Sequence, residues 1–314
     1  MQILGAQFDF ESNSRRLLRL VDSAYSRLPQ HRLGGPVPKL RVRLELTSSE
    51  RAGRARPPPL GMLSGAGFLC GATARSSFVV LSPGERSALV VVPQEMLGDA
   101  YATRYELIEF AVFTLAQRVQ GLVPLHAACV GHAGRGVLLM GGSGAGKSTL
   151  ALHCLLAGFD FLSEDSTFVA ADSMRATGVA NFLHVRANSL QFLARGAAAA
   201  MIRKSPVIRR RSGVEKFEVD LRQTGYPLAP APLKVDALIF LSKESAGTRP
   251  LLAPLGKSRV REYLGASQPY AASLSEWRVF KRNAARLGAF ELRRGRHPQE
   301  AVAALQELTG WRDR

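Results

Sequence analysis

Helical and strand periodicities alternate along the first part of the chain. Over 14–28, Leu17, Leu18, Val21, Ala24, Tyr25 and Leu28 recur at helical spacing, and the breakers Pro29, Gly34, Gly35 and Pro36 follow. The run Leu40-Arg41-Val42-Arg43-Leu44-Glu45-Leu46 alternates with period two, which predicts a strand with one face in water. Residues 53–59 are basic and rich in proline and predict a loop. Two further strands are predicted over 78–81 and 89–92, separated by the turn residues Ser82-Pro83-Gly84-Glu85. Residues 1–100 therefore read as a small α/β domain, and no motif in it carries recognisable chemistry.

A helix over 102–120, with Tyr105, Ile108, Val112, Leu115 and Val119 on its apolar face, opens a second domain, 101–314. Past Gly121 the pattern changes to short apolar runs punctuated by glycine. Val137-Leu138-Leu139-Met140 predicts a fully buried strand, 148–157 a helix and 159–162 a short strand, the order expected of a nucleotide-binding α/β core. A core strand is predicted over 234–241, mixed helix and strand from 259 onward, and a late helix over 299–308.

Between that strand and helix lies Gly141-Gly142-Ser143-Gly144-Ala145-Gly146-Lys147-Ser148-Thr149, which satisfies the phosphate-loop pattern GxxxxGKS/T in full. The glycines let successive N–H groups point into a nest around phosphate oxygens. Lys147 is placed to reach the β and γ phosphates as a mobile cation, and the Ser148 hydroxyl to meet Mg²⁺. The alternative, a glycine turn of structural use only, is disfavoured by the buried strand before it and the helix after it. Glu164 and Asp165 follow the strand 159–162, which is expected to return beside the phosphate-loop strand. Side chains of adjacent acids diverge, so the pair suits two tasks, metal contact and polarisation of an acceptor hydroxyl. His126, in Pro124-Leu125-His126-Ala127-Ala128, heads another expected strand and reads equally well as a structural histidine. His132, His153, His184 and His297 share no metal-binding spacing and read as structural or exposed.

Charge adds a further constraint. The 314-residue chain carries 42 Lys plus Arg against 25 Asp plus Glu, a formal +17, which favours anionic partners without choosing among them. The segment 193–216 concentrates Arg195, Arg203, Lys204, Arg209, Arg210, Arg211 and Lys216 against Glu215 alone. Nucleic acid is the weaker reading of that segment, because no aromatic residues interleave with it as a stacking platform. Cys70, Cys129 and Cys154 are odd in number and lack a CxxC, which argues against a disulfide framework or a zinc cluster. Asp9 and Glu11 interrupt the start where a signal peptide would be apolar, and no run suffices to span a bilayer, so a cytoplasmic protein, with peripheral contact at an anionic inner membrane allowed, is expected.

Leu125-His126, Gly136-Val137-Leu138-Leu139, the loop from Gly141 to Ser148, and Gly158-Phe159-Asp160-Phe161-Leu162-Ser163-Glu164-Asp165 together resemble the kinase core of the bacterial HPr serine kinase/phosphorylase superfamily, and more closely its divergent HPr-kinase-related branch. The resemblance is dense over 121–170 and diffuse beyond. It implies a phosphate-loop fold similar to nucleotide-dependent carboxykinases, ATP- and Mg²⁺-dependent transfer to a serine hydroxyl, and assembly into homo-oligomers. It also implies Lys147 and Ser148 as the phosphate and metal residues, Glu164 in place of the family's first aspartate as base, Asp165 as the second aspartate on the metal and phosphate side, and His126 near the phosphates. Glutamate at 164 departs from the family, and its longer side chain can exchange the roles of the two acids. The glycine-rich signature that accompanies phosphorylase activity is absent, which makes reverse phosphorolysis doubtful, and residues 1–100 do not resemble the usual regulatory domain. The reading expected is thus a hydroxyl kinase acting on a protein or peptide serine. A lipid or small-molecule hydroxyl at an anionic membrane, and a P-loop ATPase or non-catalytic nucleotide-binding regulator, stand as alternatives.

Overall fold

The computed structural model describes residues 1–48, 60–74, 77–268 and 271–311; the loop expected over 53–59 lies outside them. The chain divides into two compact α/β units with mixed sheets, Met1–Gly121 and Leu122–Arg314.

The first unit contains β1 (Gln2–Ile3), β2 (Ala6–Ser12), α1 (Arg15–Tyr25), β3 (Lys39–Thr47), β4 (Gly61–Gly65), β5 (Phe68–Ala74), β6 (Ser77–Ser82) and β7 (Ser87–Pro93). They form one sheet in the order β1-β2-β3-β7-β6-β5-β4, with β2, β3 and β7 parallel. The period-two pattern of β3 has the expected effect: Leu40, Val42 and Leu44 are buried, and Lys39, Arg41 and Arg43 face water. A continuous helical stretch follows, made of α2 (Ala100–Ala102), a π-helical turn Thr103–Ile108 and α3 (Glu109–Gln120). Gly121 ends it in the left-handed region at φ 61°. The apolar residues Ala111, Val112, Leu115 and Ala116 of α3 are buried, and α3 packs on β3, β6 and β7. The helix therefore completes the first unit, and the division falls after Gly121 instead of near residue 100.

The second unit runs β8 (Leu122–His132), β9 (Arg135–Met140), α4 (Lys147–Leu156), β10 (Asp160–Ser163), β11 (Ser166–Ala170), β12 (Arg175–Gly178), β13 (Phe182–Val185), α5 (Ala197–Lys204), β14 (Val207–Arg209), β15 (Glu215–Asp220), β16 (Leu233–Ser245), β17 (Leu252–Pro254), α6 (Lys257–Ser267), α7 (Ser275–Ala284), β18 (Gly288–Arg294) and α8 (Pro298–Thr309). Strands β9, β16 and β18 are parallel, with β16 in the middle. Strand β8 lies antiparallel to β9. Along its other side β10 and β11 lie end to end, Phe161 opposite Val130 and Ser166 opposite His126. The short strand expected to return beside the phosphate-loop strand is thus separated from it by β8. Since β11 also pairs with β12, and β12 with β16, the strands β8, β9, β16, β12 and β11 close a ring of pairings. A separate three-stranded sheet, β13-β15-β14, carries Arg209 and Lys216 of the basic segment.

The uninterrupted apolar run of β9 follows from burial on both faces. Leu138 and Met140 join a core with Val260 and Leu264 of α6 and Trp277 and Phe280 of α7. Val137 and Leu139 join another with Leu150 and Leu155 of α4 and Leu305 of α8. Among the described residues no helix is long and apolar enough to cross a membrane.

Close packing leaves no room for a side chain where Gly131 of β8 faces Gly136 of β9 beneath Leu233. A Cβ at Gly131 would lie 2.3 Å from the Arg135 carbonyl oxygen and 2.6 Å from Leu233 Cδ1. Because backbone cannot yield cheaply there, Gly131→Ala is expected to cost about 1–3 kcal/mol or more. Urea unfolding of parent and variant measures it, and equal midpoints would contradict this packing.

Candidate functional site

Three parallel strands, β9, β16 and β18, end on the same side, and a cavity of about 500 Å³ opens at their C-terminal ends. That is where open α/β sheets place ligands. Its walls include loop residues Gly142 to Thr149, with Leu241 from β16 and Leu292 from β18. Gly144 and Gly146 adopt φ of 77° and 106°, conformations that strain a residue bearing a Cβ, which explains glycine at both positions. Gly146 leads directly into α4 at Lys147, so the loop and the positive end of the helix face the same space. Gly141 does not line the cavity; its carbonyl oxygen accepts a hydrogen bond from Lys147 Nζ at 2.7 Å.

Lys147 is buried and anchored, unlike the mobile cation its sequence context predicts. Its Nζ also donates to His126 Nε2 at 2.9 Å. His126 Nδ1 in turn lies 3.2 Å from Asp165 Oδ1. With Nε2 accepting from an ammonium, the ring is neutral and carries its proton on Nδ1, the nitrogen beside the Asp165 carboxylate. Burial depresses the His126 pKa, outweighing the pull of Asp165, which agrees with a neutral ring. Lys147 is also shifted down, first by burial, with Asp165 and Glu164 opposing. The register explains the meeting of these groups: His126 pairs with Ser166, the residue after Asp165. Gln268, itself buried, accepts from the His126 backbone N–H at 2.7 Å and fixes the strand there.

The two acids occupy the interruption between β10 and β11 and face different surroundings. Glu164 is buried, and both of its oxygens are engaged. Oε1 accepts from Ser148 Oγ at 2.7 Å and lies 3.6 Å from Lys216 Nζ; Oε2 accepts from the His184 backbone N–H at 2.9 Å and lies 2.7 Å from His184 Nδ1. Asp165 is about one-third exposed, lines the cavity, and is 3.7 Å from Arg210 as well as close to His126. Burial alone would raise the Glu164 pKa, but His184, Lys216 and the Ser148 hydroxyl outweigh it and hold the carboxyl at about 2. For His184 burial opposes the charged form, yet Glu164, together with Glu218 at 3.3 Å from Nε2, raises its pKa above the ordinary value. The pair is an ion pair out of water.

The sequence pattern separates His184 and Glu218 from the phosphate loop, and the fold brings both to its acids. The one local signal was a histidine inside the apolar run Phe182-Leu183-His184-Val185. The basic segment divides: Arg210 and Lys216 line the cavity, whereas Arg203, Lys204, Arg209 and Arg211 are exposed outside it. His132 lies elsewhere, while His153 and His297 meet edge to face and His297 also lines the cavity. All three cysteines are free.

The ion pair makes stability depend on pH from both sides. The depressed Glu164 contributes stability present above its ordinary value of 4.5 and lost as pH falls toward 2. The raised His184 contributes stability complete below 6.5 and lost as pH rises through its folded value. Glu164→Gln is expected to cost about 3–5 kcal/mol near neutrality, because it leaves a buried partner uncompensated. It should also flatten both limbs of a denaturation profile taken across pH; an unchanged profile would contradict the pairing.

No family model matches the chain, and no curated protein matches it. Among solved structures, that of the Hpr(Ser) kinase/phosphatase from Coxiella burnetii matches with 13% sequence identity, covering 60% of this chain and 95% of that one, at a TM-score of 0.29. The likeness is weak and partial, and it assigns the chain to no family.

Proposed function

We propose that the chain is a kinase that transfers the γ-phosphoryl group of ATP, with Mg²⁺, to an acceptor hydroxyl, a serine of a protein or peptide being the first acceptor class to test. The reading rests on one observation: a complete phosphate loop at the start of a helix shares its cavity with Lys147, His126 and Asp165, while Glu164 is bonded to Ser148 behind them. Backbone N–H groups and Lys147 suit the phosphates. Ser148 Oγ and Glu164 Oε1 are hard oxygen donors 2.7 Å apart, the type Mg²⁺ takes together with substrate phosphates, although no group of three or more His, Cys, Asp or Glu among the described residues forms a protein-only cage. Ser148 and Glu164 are the residues that would hold the ion, which would supply positive charge to the phosphates when bound.

The environments of the acids favour a division of labour opposite to the one the resemblance implies. Asp165 has solvent access and a cavity-facing carboxylate, so it is the group able to take the acceptor's proton as the hydroxyl oxygen bonds to phosphorus and ADP leaves. Glu164, buried against Ser148 and His184, is not part of the cavity lining where an acceptor would sit. Arg210 beside Asp165 is suited to charge on the transferred group.

Purified variants test this. Asp165→Asn is expected to lower turnover by about 10²–10⁴-fold with little change in Mg-ATP affinity, whereas Glu164→Gln weakens the Mg²⁺-dependent part of ATP binding. Lys147→Ala should cut transfer by about 10²-fold or more. Calorimetry and labelled-phosphate transfer to peptide, lipid and small-molecule fractions report these separately. Parental turnover in Asp165→Asn would remove it from the mechanism, and phosphate release without transfer to any fraction would replace the kinase by an ATPase.

A further inference from the structure

The cavity extends well past the groups assigned to phosphate transfer, and its far wall has its own chemistry. Successive residues of an α-helix are turned by about 100°, so Ser148 and Thr149 at the start of α4 look in different directions. Ser148 faces Glu164. Thr149 Oγ1 faces Ser189 Oγ at 3.0 Å, and one turn further along the same face His153 meets His297, ring centroids 5.4 Å apart and nearly perpendicular. Phe192, three residues after Ser189, also meets His297, with centroids 5.6 Å apart at 81°. The wall beside Thr149 is therefore aromatic, and it lies around the helix from the acids.

Phe192 is fixed in this wall yet partly open. It lines the cavity and is half-buried. Its carbonyl oxygen accepts from His297 Nε2 at 2.9 Å, while His297 Nδ1 accepts from the Gln299 N–H at the start of α8, 3.2 Å away. Both imidazole nitrogens are thus spent on backbone, so the His297 ring is held rigidly in the same lining in which Phe192 is the larger planar face. Leu292 and Ala301 are apolar neighbours in the lining, and the exposed Arg294 and Arg296 stand at its rim.

We infer that Phe192, backed by His297 and flanked by the β18–α8 connection, is the subsite for the base of a nucleoside triphosphate, and that the donor is recognised by stacking as well as by its phosphates. This rests on the nucleotide reading above. In a phosphate loop the lysine reaches the β and γ phosphates, so the α phosphate and the nucleoside trail away from it. The Lys147 side is filled by His126, Asp165 and Arg210. The trailing end then passes Thr149 and Ser189 and reaches Phe192. A flat aromatic face gives stacking affinity that tolerates different bases, and the arginines at the rim can lie over the exposed side of a stacked ring.

Calorimetric titration of the full chain with Mg-ATP and, separately, with Mg-tripolyphosphate, which has no base, tests the subsite. Phe192→Ala is expected to weaken ATP about tenfold, about 1.4 kcal/mol, and to leave tripolyphosphate affinity unchanged, which also shows that the variant is folded. Phe192→Trp should keep ATP affinity, and the added indole fluorescence should be quenched by ATP and not by tripolyphosphate. Equal affinities of parent and Phe192→Ala for ATP, parallel loss of both ligands, or an indole indifferent to ATP would each overturn the assignment. A parent that binds tripolyphosphate as tightly as ATP would overturn the subsite while leaving the phosphate site standing. A parent that binds neither would remove the nucleotide reading, and the subsite with it.

Discussion

A carboxylate without water is the constraint around which the second unit's site is organised. An ionised group the size of Glu164, moved out of solvent, costs several kcal/mol unless charge and hydrogen bonds replace its hydration. The chain meets that cost from three separate segments: Ser148 from the helix after the phosphate loop, His184 from β13, and Lys216 from β15. Glu218 then compensates the far nitrogen of His184. Once these partners are gathered, the loop helix and the small β13-β15-β14 sheet have little freedom relative to each other. Burying one acid thereby positions the other, since Asp165 is its neighbour in the chain and is left facing the cavity.

Strand register performs the complementary task. Because β10 and β11 run along β8 with a break at the acids, His126 and Asp165 are brought together by backbone pairing before any side chain is considered. His126 then links Asp165 to Lys147, joining a group on the β8 side of the sheet to the base of the loop. A slip of one residue would turn His126 to the opposite face. The tight glycine contact at Gly131 and Gly136 beneath Leu233 resists such a slip.

Much of this was legible from local pattern. The alternation of 40–46, the apolar run 137–140 and the spacing of 14–28 carry their own burial instructions, and the phosphate loop with its flanking strand and helix was complete in the sequence. The residues themselves left His126 open between a structural and a functional place, and only the family resemblance put it near the loop and the acids. What escaped were relations between distant segments. A four-residue strand such as Asp160–Ser163 does not encode which neighbour it will have, so its place outside β8 was not readable. His184 and Glu218 belong to strands whose pairing partners lie far off in sequence, and a charged residue in an apolar strand does not announce its counterion. The helix over 109–120 has apolar residues that suit either unit, and only packing decided between them.

The ring of strands has a consequence in time. Strand β9, which carries the loop, is held on one side by β8 and on the other by β16, and β16 is completed by β18, with Ala237 pairing both Val137 and Gly288. The cavity wall opposite the loop is supplied by residues near 292–301. A chain emerging from the ribosome therefore displays its glycine loop long before it owns the strands that support it, and pairings so remote in sequence are slow to form. During synthesis the motif exists without the site. The cavity around the loop is therefore enclosed only when the strands and lining residues near 233–301 have joined it.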